Sequence, residues 1–177
     1  IELKEYSVAL QSVEKFTQTY PNSVYSKEAK SLYVTALAYS NDFNKAYDAY
    51  QNMDTLDEAL LKLYPNILFG KAALSINDGQ NEKAYELFNQ VKNIPYNKNV
   101  LAQTYFWIGE LAYKMGRIDE AIEHLEKYIL DPIEIGEITK KHANYTLGYC
   151  HLKNNNYTKA LQFFTIAADF NPYTESS

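Results

Sequence analysis

The chain has 177 residues, of which 46% are hydrophobic and 22% are charged, and this composition is typical of a folded globular protein rather than a disordered one. Its formal net charge is -5 and no run of Lys or Arg is longer than Lys140 and Lys141, which argues against nucleic acid as a partner. No apolar run approaches the roughly 20 residues that cross a bilayer, so no direct membrane insertion is expected, and the single cysteine, Cys150, excludes an internal disulfide framework.

One pattern recurs five times along the chain: an alanine followed four residues later by a large apolar residue. The five pairs are Ala9 and Val13, Ala46 and Tyr50, Ala84 and Phe88, Ala121 and Leu125, and Ala160 and Phe164. Successive alanines lie 37 to 39 residues apart, and the spacing within a pair places both members on one helix face. Prolines, which end helices, follow four of the alanines after 11 or 12 residues, at Pro21, Pro95, Pro132 and Pro172. The pattern therefore predicts a helical repeat.

Two segments, 108–121 and 147–172, resemble a known repeat. In each, a glycine that follows an apolar residue, Gly109 or Gly148, precedes the repeat alanine by 12 residues. A glycine inside a helix costs about 1 kcal/mol relative to alanine, so its recurrence indicates close helix approach. Both segments resemble the central stretch of the tetratricopeptide repeat (TPR), in which an A helix carries the Leu-Gly pair and a B helix carries the alanine. The constant 12-residue interval between the glycine and the alanine favours the TPR over Sel1-like repeats, whose hairpins are longer.

The resemblance implies an all-α fold, a right-handed α-α superhelix (TPR solenoid) of about four and a half repeats and nine helices. In chain order we expect an unpaired B helix over 1–20 and then repeats over about 24–54, 57–93, 97–132 and 137–172, in a single domain over 1–177. Because the first B helix lacks its A partner, we expect a fragment of a longer protein. Pro65 and Lys71 depart from the repeat pattern. The register of the second full repeat, and a kinked or split helix near 57–77, therefore stay open.

Candidate catalytic and metal-binding residues are few. The three histidines, His124, His142 and His151, lack the i, i+4 pairing of a helical zinc site. Cys150 and His151 are adjacent in a predicted helix and point about 100° apart, so they are not expected to form a nucleophile and base pair. No glycine-rich phosphate loop, nucleophile elbow or calcium loop occurs in the sequence. We expect no enzyme activity, no cofactor and no metal.

The TPR resemblance implies that the A helices line a concave groove that binds a protein or peptide. Its register gives nine candidate groove residues: Ser31, Thr35, Tyr39, Phe106, Glu110, Tyr113, Tyr145, Tyr149 and Lys153. The Lys, Asn and Arg clamp with which some TPR proteins hold a C-terminal carboxylate is absent, because the clamp positions are held by Ser31, Thr35, Phe106 and Tyr145. An aromatic groove suits extended peptides, apolar anchors or sugar rings. The alternative is that several of these tyrosines pack between repeats.

A shorter motif, at residues 20–29, bears on location. Tyr20-Pro21-Asn22-Ser23, Tyr25 and Ala29 resemble the YPxSxYxxxA linker of bacterial envelope TPR proteins, which include outer-membrane assembly lipoproteins and the Tol-Pal coordinator. This resemblance implies a scaffold and favours the bacterial periplasm or cell envelope over the cytoplasm as its location. The alternative function is a sensory or regulatory TPR region of a larger signalling protein.

Overall fold

The computed structural model describes the backbone of residues 2–169 and the side chains of residues 6–168. Within these residues the chain forms nine α-helices, one short 3-10 turn at Asn97–Asn99 and no extended strand. The helices are α1 (Glu2–Thr19), α2 (Ser26–Tyr39), α3 (Phe43–Gln51), α4 (Glu58–Asn77), α5 (Asn81–Asn93), α6 (Leu101–Lys114), α7 (Ile118–Leu130), α8 (Lys140–Lys153) and α9 (Tyr157–Asp169). The predicted all-α class and helix number are confirmed for the described chain, whereas the predicted repeat end at residue 172 lies outside it.

The helices divide between two units, Ile1–Asn97 with α1 to α5 and Lys98–Ser177 with α6 to α9. In the first unit each helix packs against the next one in the chain, and α4 also contacts α2. In the second unit α6 pairs with α7 and α8 pairs with α9, while α8 also packs against α7 and α6. The single repeat domain over 1–177 stays a prediction.

Four helical hairpins, α2–α3, α4–α5, α6–α7 and α8–α9, turn in the same way. In the third hairpin the N–H of Gly116 donates to the carbonyl of Tyr113, and the N–H of Arg117 donates to that of Ala112. Equivalent pairs of bonds close the other three turns. Each turn contains one residue with a left-handed backbone, five positions before the repeat alanine: Asn41, Gly79, Gly116 and Asn155. Asn and Gly are the residues that adopt this conformation most readily. This common geometry fixes the register of the second full repeat.

The irregular region of the sequence forms one unbroken helix, α4. It has 20 residues, against 14 in each of α2, α6 and α8, and it contains Pro65. The carboxylate of Asp57 caps its first turn by accepting from the N–H of Leu60 at 2.8 Å. Lys71, which stands at an apolar repeat position, lays its ammonium nitrogen 3.8 Å from the ring centre of Tyr47 and 3.9 Å from Asp48 Oδ1. Burial lowers the pKa of Lys71, and these two contacts accommodate its charge.

Glycines in α6 and α8 let the paired helices approach closely, as their recurrence predicts. A Cβ atom on Gly109 would lie 2.5 Å from Leu125 Cγ, and one on Gly148 would lie 2.5 Å from Phe164 Cε1. Each large residue is the partner of a repeat alanine, so the hairpins close by placing a large side chain against bare backbone. The core of the second unit is built around these contacts from Phe106, Leu125, Tyr128, Ile138, Ala143 and Leu147.

Candidate functional site

The nine predicted groove residues lie on three A helices, α2 in the first unit and α6 and α8 in the second. Six of them are in the second unit, where α6 and α8 contact each other directly. Four of these six present side chains at the surface or at its margin. We call Tyr113, Tyr145, Tyr149 and Lys153 the tyrosine face.

Tyr145 and Tyr149 form the centre of the tyrosine face, one turn apart on α8. Their hydroxyl oxygens are 3.0 Å apart and share a hydrogen bond, and their ring centres are 4.9 Å apart in an edge-to-face arrangement. Phe164 from α9 packs edge-on against both rings. The hydrogen bond with Tyr145 raises the pKa of Tyr149. Because Phe164 packs against both rings and 50% of Tyr145 remains exposed, the pair forms a supported, partly exposed aromatic surface.

The tyrosine face continues from α8 to α6 through a cation and a ring. Lys153 places its ammonium nitrogen 5.0 Å from the ring centre of Tyr113, within the range of a cation–π interaction. Burial raises the pKa of Tyr113, and nearby Cys150, Glu110 and Tyr145 raise it further. Tyr113 is therefore neutral at physiological pH, and its ring lies beside a positive charge.

Phe106 does not contribute to this surface, because its side chain is fully buried. Its ring packs edge-on against Trp107, Tyr128 and His142. The imidazole of His142, at the start of α8, lies over the face that the repeat register assigns to the groove. Phe106 is thus a core residue, and a change there acts on folding before it acts on any partner.

Glu110 is also largely buried, with 8% of its side chain exposed, and it joins α6 to α8. Its Oε2 lies 3.3 Å from His142 Nε2, while its Oε1 has no hydrogen-bond partner among the described residues. The hydrogen bond with Glu110 raises the pKa of His142, against an opposing effect of partial burial. Sequence reasoning missed this pair because no short-range spacing connects two residues that meet only when consecutive repeats stack.

The Glu110 and His142 pair makes the stability of the second unit depend on pH. Because the pKa of His142 is raised in the folded chain, its contribution is fully present below its ordinary pKa of 6.5. That contribution is lost as the pH rises through the higher folded value. Since 44% of the His142 side chain is exposed, the effect is expected to be below about 1 kcal/mol.

The test compares urea unfolding of the parent and of His142→Gln between pH 5.5 and pH 9, where Gln keeps a donor but does not titrate. The stability difference in favour of the parent should shrink as the pH rises. The comparison is needed because burial lowers the pKa of His151, which contributes with the opposite sign. A difference that stays constant over this range would contradict the assignment of the pair.

The two other candidate residues of the second unit, Cys150 and His151, are both buried. Burial raises the pKa of the Cys150 thiol to about 12, with a further contribution from Glu110, so the reactive thiolate is scarce at neutral pH. The His151 ring stacks on Phe163 at 5.3 Å between ring centres.

Among the described residues, no group of three or more His, Cys, Asp and Glu side chains is arranged to hold a metal. None of the described helices combines the length and the apolar character needed to cross a membrane.

In the first unit, the three predicted residues on α2 have contacts of their own. Ser31 donates a hydrogen bond to Asp57 at the start of α4, which is the main cause of the lowered pKa of Asp57. Thr35 donates to the carbonyl of Ser31 at 2.9 Å. Tyr39 stacks on Tyr6 of α1 at 5.9 Å and remains more than half exposed. Of the three, Tyr39 alone offers a large accessible surface.

Comparison with known proteins agrees with the hairpin geometry. Residues 102–130 and 142–174, which contain nearly all of α6–α7 and most of α8–α9, match the family model of the tetratricopeptide repeat. Two solved structures are similar over nearly the whole chain. A crystal structure of MamA has a TM-score of 0.58 and 17% identity, covering 94% of this chain and 88% of that one. MamA 41-end from Desulfovibrio magneticus RS-1 has a TM-score of 0.56 and 19% identity, covering 99% and 98%. These two segments of the second unit thus match the tetratricopeptide repeat, and the predicted TPR fold is confirmed.

One curated relative is partly similar. The chain is 29% identical over 119 residues, or 67% of its length, to a protein named Transcription activator GutR from Bacillus subtilis (strain 168). The match spans 13% of that relative. None of these matches supports the resemblance to envelope lipoproteins or the Tol-Pal coordinator, so the cell-envelope location stays a prediction.

Proposed function

We propose that this chain is a protein-binding module that holds a peptide or a protein segment on the tyrosine face of its second unit. Tetratricopeptide repeats mediate protein–protein interactions, and the repeats here are the first support for the proposal. The observation that carries it is the pair of hydroxyl-linked tyrosines on α8, supported from below by Phe164. Rigid, partly exposed aromatic rings with a polar end are the side chains that most often supply binding energy at interfaces.

The chemistry of the face indicates what the bound segment offers. Tyr113, Tyr145 and Tyr149 provide ring surface for an apolar or aromatic anchor, and their hydroxyl groups can bond to its backbone. Lys153 adds a positive charge beside Tyr113. The face therefore suits an extended segment with one large apolar side chain and an acidic residue next to it.

The test is capture of partners from native extract with the full-length protein and with a Tyr149→Ser, Lys153→Ser double variant. We expect the double variant to bind at least tenfold more weakly, since loss of a central aromatic anchor costs about 2 kcal/mol or more. Tyr157→Ser is the matched control, because Tyr157 is an exposed tyrosine on α9 outside the tyrosine face. Equal capture by the double variant, with a melting temperature that shows it folded, would refute the proposed site.

A second candidate function is a regulatory TPR region of a longer signalling protein. The partial match to a protein named a transcription activator supports it. The two candidate functions predict different domains in the rest of the polypeptide, so the sequence of the full-length gene product distinguishes them. Further repeats alone favour a scaffold, whereas a DNA-binding or catalytic domain in the same chain favours a regulatory region.

A further inference from the structure

A cavity in the first unit is lined by α1, α2 and the end of α3. Its volume is about 380 Å³, which is within the range of small-molecule sites in proteins. The buried or half-buried part of its lining includes Val34, Ala49 and Met53, and the exposed part includes Glu14, Lys30 and Asn52. The cavity is thus apolar inside and polar at its opening. We call it the α1–α3 cavity.

One reason for the cavity is the short side chain of Ala49. This residue lies three positions after its repeat alanine, where the three other hairpins carry Leu87, His124 and Phe163. Leu87 and His124 are buried, and Phe163 packs against the core of the second unit. The other hairpins therefore fill this position with a large side chain, whereas Ala49 leaves the corresponding space open.

The second reason is Thr17 on α1. Thr17 lies eight residues after its repeat alanine, and Ile129 lies eight residues after its own. Ile129 packs against the same core as Phe163, so in the second unit a branched aliphatic chain and an aromatic ring occupy this region. In the first unit Thr17 and Ala49 line the cavity instead, together with Met53, whose thioether packs well against aromatic rings. The interior is thus suited to an aromatic or branched aliphatic group.

The opening of the cavity carries a negative charge that lacks a cation. The hydroxyl of Tyr33 donates to Glu14 Oε1 at 2.9 Å, and burial raises the pKa of Tyr33, so the hydroxyl keeps the proton that it donates. Among the described side chains no Lys, Arg or His forms an ion pair with Glu14. The ammonium nitrogen of Lys30, in contrast, lies 3.6 Å from Asp54 Oδ2, which balances its charge.

We propose that the α1–α3 cavity binds a small organic amine, whose apolar ring or branched chain enters the cavity and whose ammonium group pairs with Glu14. The apolar part lies beside Ala49 and Met53, in the space that Phe163 fills in the second unit. Because Tyr33 bonds to Oε1 of Glu14, its Oε2 accepts the charge-assisted hydrogen bond from the amine. This site belongs to the first unit and does not rest on the tyrosine face.

The experiment is an NMR chemical-shift titration of the isotope-labelled full chain with phenylethylamine at neutral pH. We expect saturable shifts at the residues that line the cavity, with a Kd of about 0.1–1 mM for a ligand of this size. Phenylpropionate has the same ring but carries a carboxylate in place of the amine. It should bind at least about tenfold more weakly, because Glu14 repels it.

Two variants test the two parts of the site. Ala49→Phe should abolish binding without lowering the melting temperature, because it supplies the ring that Phe163 provides in the second unit. Glu14→Gln keeps an acceptor for Tyr33 but removes the charge, so binding of the amine should weaken at least about tenfold and binding of phenylpropionate should not. Glu28→Gln is the matched control, since Glu28 is an exposed carboxylate of α2 outside the cavity and its change should have no effect.

The proposal is overturned by an absence of saturable shifts at the cavity, or by binding of the amine that Ala49→Phe and Glu14→Gln leave unchanged. Equal binding of phenylethylamine and phenylpropionate would also overturn it, because the charge of Glu14 would then play no part. Tighter binding of N-acetyl-phenylalaninamide than of the amine would overturn it too, by assigning the cavity to a side chain within a peptide.

L-Phenylalanine distinguishes two sources of the amine. Binding tighter than that of phenylethylamine supports a free amino acid, whose carboxylate reaches Lys30, and weaker binding supports a simple amine. The Tyr149→Ser, Lys153→Ser variant should bind the amine normally, so failure of the tyrosine-face proposal is distinguished from failure of this one.

Discussion

Replacement of Leu125 by alanine should lower the free energy of unfolding by about 2–5 kcal/mol. Leu125 is fully buried, and its side chain fills the space in front of Gly109. It also shares a core with Phe106, Tyr128 and Leu147, so the cavity would open at the contact between two consecutive hairpins. The loss should appear as a lower urea midpoint with little change in the dependence on denaturant.

Leu161→Ala is the matched control for this prediction. It is the same substitution in the same unit, but Leu161 is 69% exposed, so the expected change is within about 0.5 kcal/mol. Phe164→Ala is expected to destabilise the chain by an intermediate amount, because Phe164 occupies the same repeat position as Leu125 but remains partly exposed. A Leu125→Ala variant as stable as the parent would show that the repeat core is assigned wrongly.

Helix positions could be predicted from the sequence because their determinants are local. The first predicted pair, 24–54, contains α2 and α3, and the predicted B helix at the start of the chain coincides with α1. The second repeat also contains a signal for its register that is separate from the alanine pattern. Gly79, five residues before Ala84, has the same left-handed backbone as Asn41 and Gly116 at their turns. Turn chemistry would have fixed the register that Pro65 left open.

Surface exposure was harder to predict, because it depends on which helix covers a given face. Phe106 and Tyr145 occupy the same repeat position, yet one is fully buried and the other half exposed. The difference arises because α8 lies over Phe106 and presents His142 to it. The same stacking buries Glu110 and gives it a partner 32 residues away along the chain. A register identifies the face of a helix, whereas the next hairpin decides what remains accessible on that face.

A methyl group added at Gly109 should destabilise the chain, although alanine is the better helix former. Gly109→Ala gains about 1 kcal/mol from helix propensity. The new Cβ would lie 2.5 Å from Leu125 Cγ and 2.8 Å from Leu125 Cδ2, which forces the two helices apart or Leu125 out of its rotamer. Such overpacking costs about 1–3 kcal/mol, so the net loss is expected to reach about 2 kcal/mol.

The double variant Gly109→Ala, Leu125→Ala tests whether this contact is the cause. Once the Leu125 side chain is shortened, the nearest atom that the structure places against the new Cβ is the Leu125 backbone nitrogen, at 3.2 Å. The methyl group then fills part of the cavity instead of colliding with its occupant. We expect the double variant to be more stable than the sum of the single losses by about 1 kcal/mol or more, measured by urea unfolding of all four proteins. Additive losses would mean that Gly109 is required for a reason other than close packing against α7.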